Sequence, residues 1–186
     1  DTTFGQPTGG KLDGGIFFPA AGYINDPQLA THNLQRAGEA VGAQYLFNKK
    51  VVKINKDRSS VKGVTLDDGK QINAPVVINV TGPHSHKLNL MAGVLDDMRI
   101  STSALKQEVV HLPYPGSGDF GRNGIVISDS DIACYSRPEQ GNHILIGSED
   151  PECDLREKVD PDNWDKNFSD QWVVQAYRQS QRLPEL

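Results

Sequence analysis

Val76-Val77-Ile78-Asn79-Val80-Thr81-Gly82 is the stretch on which the reading of the fold turns. Its first five residues are nearly all apolar, as a strand is when both of its faces are covered in a parallel sheet. Such a strand is expected inside a layered α/β core, and Thr81-Gly82-Pro83 then closes it.

Working outward toward the N-terminus, the segments 44–47, 50–54, 61–66 and 71–80 are β-rich, with Asp67-Asp68-Gly69-Lys70 as a hairpin turn. They predict a small meander ending in the longer strand. Ahead of it, Asp26 can cap a helix with Pro27 in its first position. Leu29, Ala30, Leu34, Ala37 and Val41 then recur at threes and fours, and Gly42 supplies a stop. Gly15 to Phe18 predict a short strand and the residues up to Tyr23 a turn, while 1–13 read as a flexible lead-in.

Working outward toward the C-terminus, residues 84–90 predict a short helix, and the character changes beyond Gly93. Segments 101–112, 124–128, 131–136 and 143–147 predict antiparallel strands separated by Gly/Pro turns. Over 161–183 Trp164, Phe168, Trp172, Val173 and Tyr177 stand at helical spacing, which predicts one or two helices with aromatic core contacts on that sheet. The expected fold class is α+β: a mixed, largely antiparallel sheet with flanking helices, plus a helix and β-meander. Two lobes are expected, over 14–92 and 93–186.

Composition narrows the function classes. The chain has 186 residues, 37% hydrophobic and 23% charged, with 18 Gly and 11 Pro, which describes a loop-rich globular protein. A formal charge of −5, without any basic cluster, argues against nucleic acid and for a small-molecule partner. No apolar run approaches the ~20 residues of a membrane span. Cys134 and Cys153 specify neither a disulfide framework nor a zinc site, so a cytoplasmic location is the expectation. A chain that opens on Asp1 and stops at Leu186 reads as a piece of a longer protein.

Tyr135 and Arg137, two apart on a predicted strand, project to the same face. There a guanidinium could hold a carboxylate while a phenol hydrogen-bonds to it. The plainer alternative pairs Arg137 with Glu139 or another acid on a solvated edge. His84 and His86 do not make a metal pair, because i and i+2 diverge on a helix. The sequons at Asn79 and Asn167 read as chance.

The order of elements from Gly14-Gly15-Ile16-Phe17-Phe18-Pro19-Ala20-Ala21-Gly22-Tyr23-Ile24-Asn25-Asp26-Pro27, through Gly42-Ala43, 51–54, Gly63-Val64 and Asp68-Gly69 to 76–82, resembles the D-amino-acid oxidase (DAO) superfamily of FAD-dependent oxidoreductases. Sarcosine and dimethylglycine dehydrogenases and glycine oxidase belong to that superfamily. The resemblance continues through Tyr135-Ser136-Arg137-Pro138-Glu139 and Ile144-Leu145-Ile146-Gly147, covering roughly 14–186.

The resemblance implies that helix and meander belong to a Rossmann-like FAD-binding lobe, and that Val51, Thr81 and Gly82 lie along the FAD. It implies a substrate lobe whose pocket wall carries Tyr135 and Arg137, with Tyr23 in reach. The parent would oxidise the C–N bond of an amino acid or N-methyl amino acid, and its remainder would be a partner of this piece. No G-x-G-x-x-G is present, so the piece alone is expected to be inactive and not to hold FAD. Leu145 and Ile146 stand where oxidases carry a lysine, which favours a dehydrogenase, and His84 stands where the family usually has Trp. A hydroxy acid or glycerol phosphate as substrate, or a non-catalytic binding module, are the alternatives.

Overall fold

The computed structural model describes residues 12–58, 60–183 and 185–186. Most of the expected lead-in, up to residue 11, lies outside them. The chain divides into two compact units: Asp1–Ala30 with Lys106–Glu157 and Asp165–Leu186, and Thr31–Leu105 with Lys158–Trp164. The content is α+β with antiparallel sheets, as the sequence implies.

Helix α1 (Pro27–Ala40) starts where the sequence places it. Asp26 Oδ1 accepts the Leu29 N–H at 2.8 Å, and Gly42 turns the chain with φ 93°. In the second unit β1 (Val51–Asp57), β2 (Ser60–Leu66) and β3 (Gln71–Asn73) form an antiparallel sheet in sequence order. Asp68 stabilises the hairpin turn by accepting the Lys70 N–H at 3.0 Å. Ile54 and Leu66 are buried. Helix α2 (Ser85–Ala92) ends at Gly93 in the left-handed region.

Two expectations in this unit are corrected. Residues 44–47 form no strand; Tyr45 and Phe47 stack with ring centroids 6.2 Å apart instead. The run 76–80 is not a strand either. Val76, Ile78 and Val80 are 68%, 78% and 84% exposed, because no neighbouring strand among the described residues accepts their backbone groups. The apolar run identifies a segment that wants cover; it does not supply the cover.

In the first unit β4 (Val109–Pro113), β5 (Ile127–Asp129), β6 (Cys134–Glu139) and β7 (His143–Ser148) make a four-stranded antiparallel sheet in the order β4-β7-β6-β5. The strand expected over 101–112 is confined to its last third. The short helix α3 (Phe120–Asn123) begins at Asp119, whose carboxylate accepts the Arg122 N–H at 3.0 Å. Helix α4 (Gln171–Ser180) packs on β4, β6 and β7.

Alternation on β6 and β7 gives the sheet two faces. Cys134, Ser136, Ile144 and Ile146 are fully buried on the α4 side. Val110 joins Ile144 and Ile146 there, with Leu112, Tyr114 and Phe120 packed around them. Burial pushes the Cys134 thiol up to about 11, against the pull of Arg178.

The aromatic core expected over 161–183 is not there: Trp164, Phe168, Trp172 and Tyr177 are all exposed. Helix α4 buries Gln175, Arg178 and Gln179 instead. Arg178 grips Asp154 with both terminal nitrogens, one at 3.0 Å. Asp154 also accepts from Ser148 Oγ at 2.6 Å. Burial alone would raise the Asp154 carboxyl, but these hydrogen bonds hold it below the ordinary range.

Candidate functional site

The face of the four-stranded sheet opposite α4 carries chemistry. Its registers place residues in rows across β6, β7 and β4: Tyr135–Gly147–Val109, Arg137–Leu145–His111 and Glu139–His143–Pro113. Tyr135 and Arg137 do share this face, as their spacing requires.

Glycine is required at 147 by close approach. A Cβ there would run into the Tyr135 ring, so the ring lies across the neighbouring strand. Arg137 is held from three sides. Its Nη1 meets Glu139 Oε2 at 2.9 Å, and the Pro138 carbonyl lies at 3.4 Å. Its guanidinium carbon sits 4.7 Å from the centroid of the Tyr23 ring, a cation–π distance.

The pairing of Arg137 with Glu139 is thus present, but not on a solvated edge. Strand β6 is internal, and the two side chains are only 20% and 17% exposed. The Gln140 N–H, donated to Glu139 at 3.0 Å, holds that carboxyl below its ordinary range, assisted by Arg137 and His111 against the effect of burial.

An open cleft of about 620 Å³ adjoins this pair, lined by Tyr23, Asn25, Asp119, Arg122, Glu139 and Asn142 among others. Asn142 Oδ1 accepts the Phe120 and Gly121 N–H groups at 2.7 and 3.2 Å, pinning the glycine-rich loop that forms one wall. Sequence reasoning missed this wall. The signal was the density of glycine between Gly116 and Gly124.

The second unit has a cleft of about 420 Å³ that brings together Val51 and Thr81, with Lys49, Lys50, His84 and Lys87 on its lining. Asn79, read from sequence as part of a buried strand, is the organiser here. Its Oδ1 accepts from Thr81 N and Oγ1 at 3.2 and 2.7 Å. Its Nδ2 donates to Ser85 O and Asn89 Oδ1 at 3.0 and 2.8 Å. The turn so fixed puts Gly82 at φ 54°, and a Cβ there would meet nothing within 4 Å.

Around the cleft, Lys87 pairs with Asp160 and Asp162 at 3.2 and 3.0 Å, and His84 Nε2 lies 2.8 Å from Asp162. Hydrogen bonds from His84 and then Lys87 hold the Asp162 carboxyl below its ordinary range. No group of three residues among those described can hold a metal ion. No helix among them is long and apolar enough to cross a membrane.

The family described as FAD dependent oxidoreductase, DAO, matches residues 3–182. No curated protein matches. Among solved structures, L-proline dehydrogenase from P. horikoshii is similar, with a TM-score of 0.65 at 19% identity over 84% of this chain. At that identity the likeness speaks for the fold. The match takes in 38% of that enzyme's chain, so the present chain spans well under half of its relative.

Proposed function

The chain belongs to the DAO family of FAD dependent oxidoreductases, and from that premise we propose that it forms the substrate-binding part, with a share of the cofactor-binding part, of an enzyme oxidising the C–N bond of an amino acid or N-methyl amino acid. The substrate class includes cyclic and N-methylated glycine-like acids such as proline and sarcosine. Absence of a lysine at Leu145 and Ile146 supports a dehydrogenase.

One observation carries the reading: a half-buried Arg137 on an internal strand, beside Tyr135 and under the Tyr23 ring. A guanidinium offers five N–H donors, of which the Glu139 contact occupies only part, so an edge is left for a substrate carboxylate. The Tyr135 phenol donates to the same carboxylate. Tyr23 covers the guanidinium and Glu139 fixes its direction, so little ordering remains to be done on binding.

The residues fit FAD on the other unit. Gly82 leaves open space where any side chain would stand, and its backbone conformation suits glycine. Thr81, next to it in the chain, and Val51, an apolar wall, line the cleft of the second unit. FAD, when bound, supplies the redox chemistry. This chain's residues grip the carboxylate and set the carbon next to nitrogen in place.

The test is anaerobic mixing of the full-length FAD-loaded protein with N-methylglycine, L-proline, a 2-hydroxy acid and glycerol phosphate, following the flavin absorbance. Bleaching by the amino acids is expected. Replacing Arg137 by Met should lower kcat/KM by about 10- to 100-fold, the scale of a charge-assisted hydrogen bond. Bleaching by the hydroxy compounds alone would sink the reading.

A further inference from the structure

The seam between α4 and the four-stranded sheet, on the side turned away from Tyr135 and Arg137, holds polar side chains that the fold itself does not satisfy. They are Ser136, with its hydroxyl, and Gln175 and Gln179, each with an amide oxygen and nitrogen. All three residues are 0% exposed, and none of these side-chain atoms has a hydrogen-bond partner among the described residues.

The elements that carry these groups bring them into line. Gln175 and Gln179 are four apart, so they stand one above the other on the helix. Cys134 Sγ donates to Gln175 O at 3.8 Å, which sets this turn of α4 over β6. Beyond the helix, Leu183 and Leu186 pack on the cluster that holds Ile144, the register partner of Pro138, so helix and strand run the same way. Four helical residues advance about 6 Å, and two strand residues about 6.6 Å. Gln179 therefore keeps pace with Ser136 as Gln175 does with Cys134.

In its row across the sheet Ser136 stands between Ile127 on β5 and Ile146 on β7. A serine between two isoleucines leaves a dip in the surface of the sheet, and glutamine side chains are long enough to reach into it. An amide or hydroxyl taken out of water without a replacement hydrogen bond is destabilising, and buried polar groups in folded proteins are nearly all partnered. A bond from one glutamine to the other would engage a single N–H and a single carbonyl. The other carbonyl, the remaining N–H groups and the Ser136 hydroxyl would still be without partners. The set is neutral and mixes donors with acceptors, so it selects neither a cation nor an anion. It fits a small neutral molecule that gives and takes hydrogen bonds at once.

We propose that this seam is a binding site for internal water, about two molecules held between Ser136, Gln175 and Gln179, since a buried water makes about three hydrogen bonds. The waters turn a helix face of glutamines into a satisfied core. Ser136 lies between Tyr135 and Arg137 in the chain, so the waters complete the closure directly beneath the part of β6 that carries both. The site rests on the packing of α4 and holds whatever substrate the open face takes.

The experiment records water-to-protein NOE and ROE spectra of the isotope-labelled 186-residue chain. Water that tumbles with the protein gives NOE and ROE cross-peaks of opposite sign, and surface water does not. Such pairs are expected at the side-chain amide hydrogens of Gln175 and Gln179. Oxygen-17 relaxation dispersion, which counts long-lived water, should lose the amplitude of at least one molecule in the double replacement Gln175→Met with Gln179→Met.

Glutamine amides without water cross-peaks in the wild-type chain would overturn the proposal, as would an unchanged dispersion amplitude in a folded double variant. Ser136→Ala removes the one hydroxyl that could relay exchange from bulk water. Cross-peaks lost in that variant at unchanged dispersion amplitude would belong to the hydroxyl, and the site would fall with them. The wild-type spectrum decides the matter even where a variant does not fold.

Discussion

The two sheets of this molecule use the same antiparallel pairing and differ in what lies behind them. The four-stranded sheet has one face closed by α4, with Cys134, Ser136, Ile144 and Ile146 at 0% exposure. Its other face is left for Tyr135, Arg137, Glu139 and His111. Among the described residues the three-stranded sheet buries Ile54, Gly63 and Leu66, and the segment that follows it leaves Val76, Ile78 and Val80 in solvent. A sealed rear face makes a rigid platform on which side chains can be aimed. The meander instead contributes a turn and a cleft, built by hydrogen bonds from Asn79 more than by packing.

The sharpest way to break this contrast is through the closure. Replacing Asp154 by Ala strands the Arg178 charge where both side chains are 2–3% exposed. Loss of one partner from a buried pair costs about 3–5 kcal/mol. Urea unfolding should register it, and the double replacement Asp154→Leu with Arg178→Met should recover most of the loss. The Asp154 carboxyl sits below its ordinary range in the fold. In the window between its folded value and the unfolded ~3.9, the unfolded chain therefore binds more protons. The pair's stabilisation is present above that window and fades as pH falls through the folded value. Asp154→Ala should lack this part of the acid limb. An unchanged limb would show that other carboxylates carry it.

Next in size is the packing under the platform. Ile146→Ala removes a fully buried side chain from the cluster with Val110 and Ile144. A cost of about 2–5 kcal/mol is expected, by thermal or urea unfolding. Ile54→Ala in the meander should fall at the low end of that range, because fewer buried neighbours surround it. Equal losses would mean that the meander is as tightly packed as the platform.

Much of this contrast was legible in the sequence, and the illegible part has a physical cause. The α1 cap at Asp26, the hairpin at Asp68 and the placement of Tyr135 with Arg137 follow from local chemistry and strand alternation. Helix α4 did not yield, since hydropathy at helical spacing points to Trp172 and Tyr177. The residues the helix buries are Gln175, Arg178 and Gln179, and Asp154, the partner of Arg178, lies 24 positions before it. Periodicity within one segment carries no trace of a partner that distant. The run 76–80 failed in the opposite sense, since its composition asks for cover without saying what gives it.

Gly147→Ala addresses the working face of the platform. The new Cβ displaces the Tyr135 ring, so binding of L-proline should weaken about tenfold, the value of one hydrogen bond to a charged group. The unfolding midpoint should move little, because what the Cβ meets is the half-buried Tyr135 side chain and not backbone. Gly82→Ala in the second unit reverses the pattern. Its Cβ meets nothing, but φ 54° in a residue with a side chain costs about 1–2 kcal/mol. Stability should fall while carboxylate binding is unchanged.

The smallest effect is expected where the second unit is held by surface charge. Lys87 joins Asp160 and Asp162, but its side chain is 49% exposed and theirs 55% and 58%. Water already solvates all three, so the attraction gained is nearly matched by the ordering of a long side chain. Lys87→Ala should therefore leave the thermal midpoint where it is, at low salt as at high salt. A clear drop confined to low salt would show that the bridge anchors the segment 158–164. The meander would then share with the platform a dependence on one ion pair.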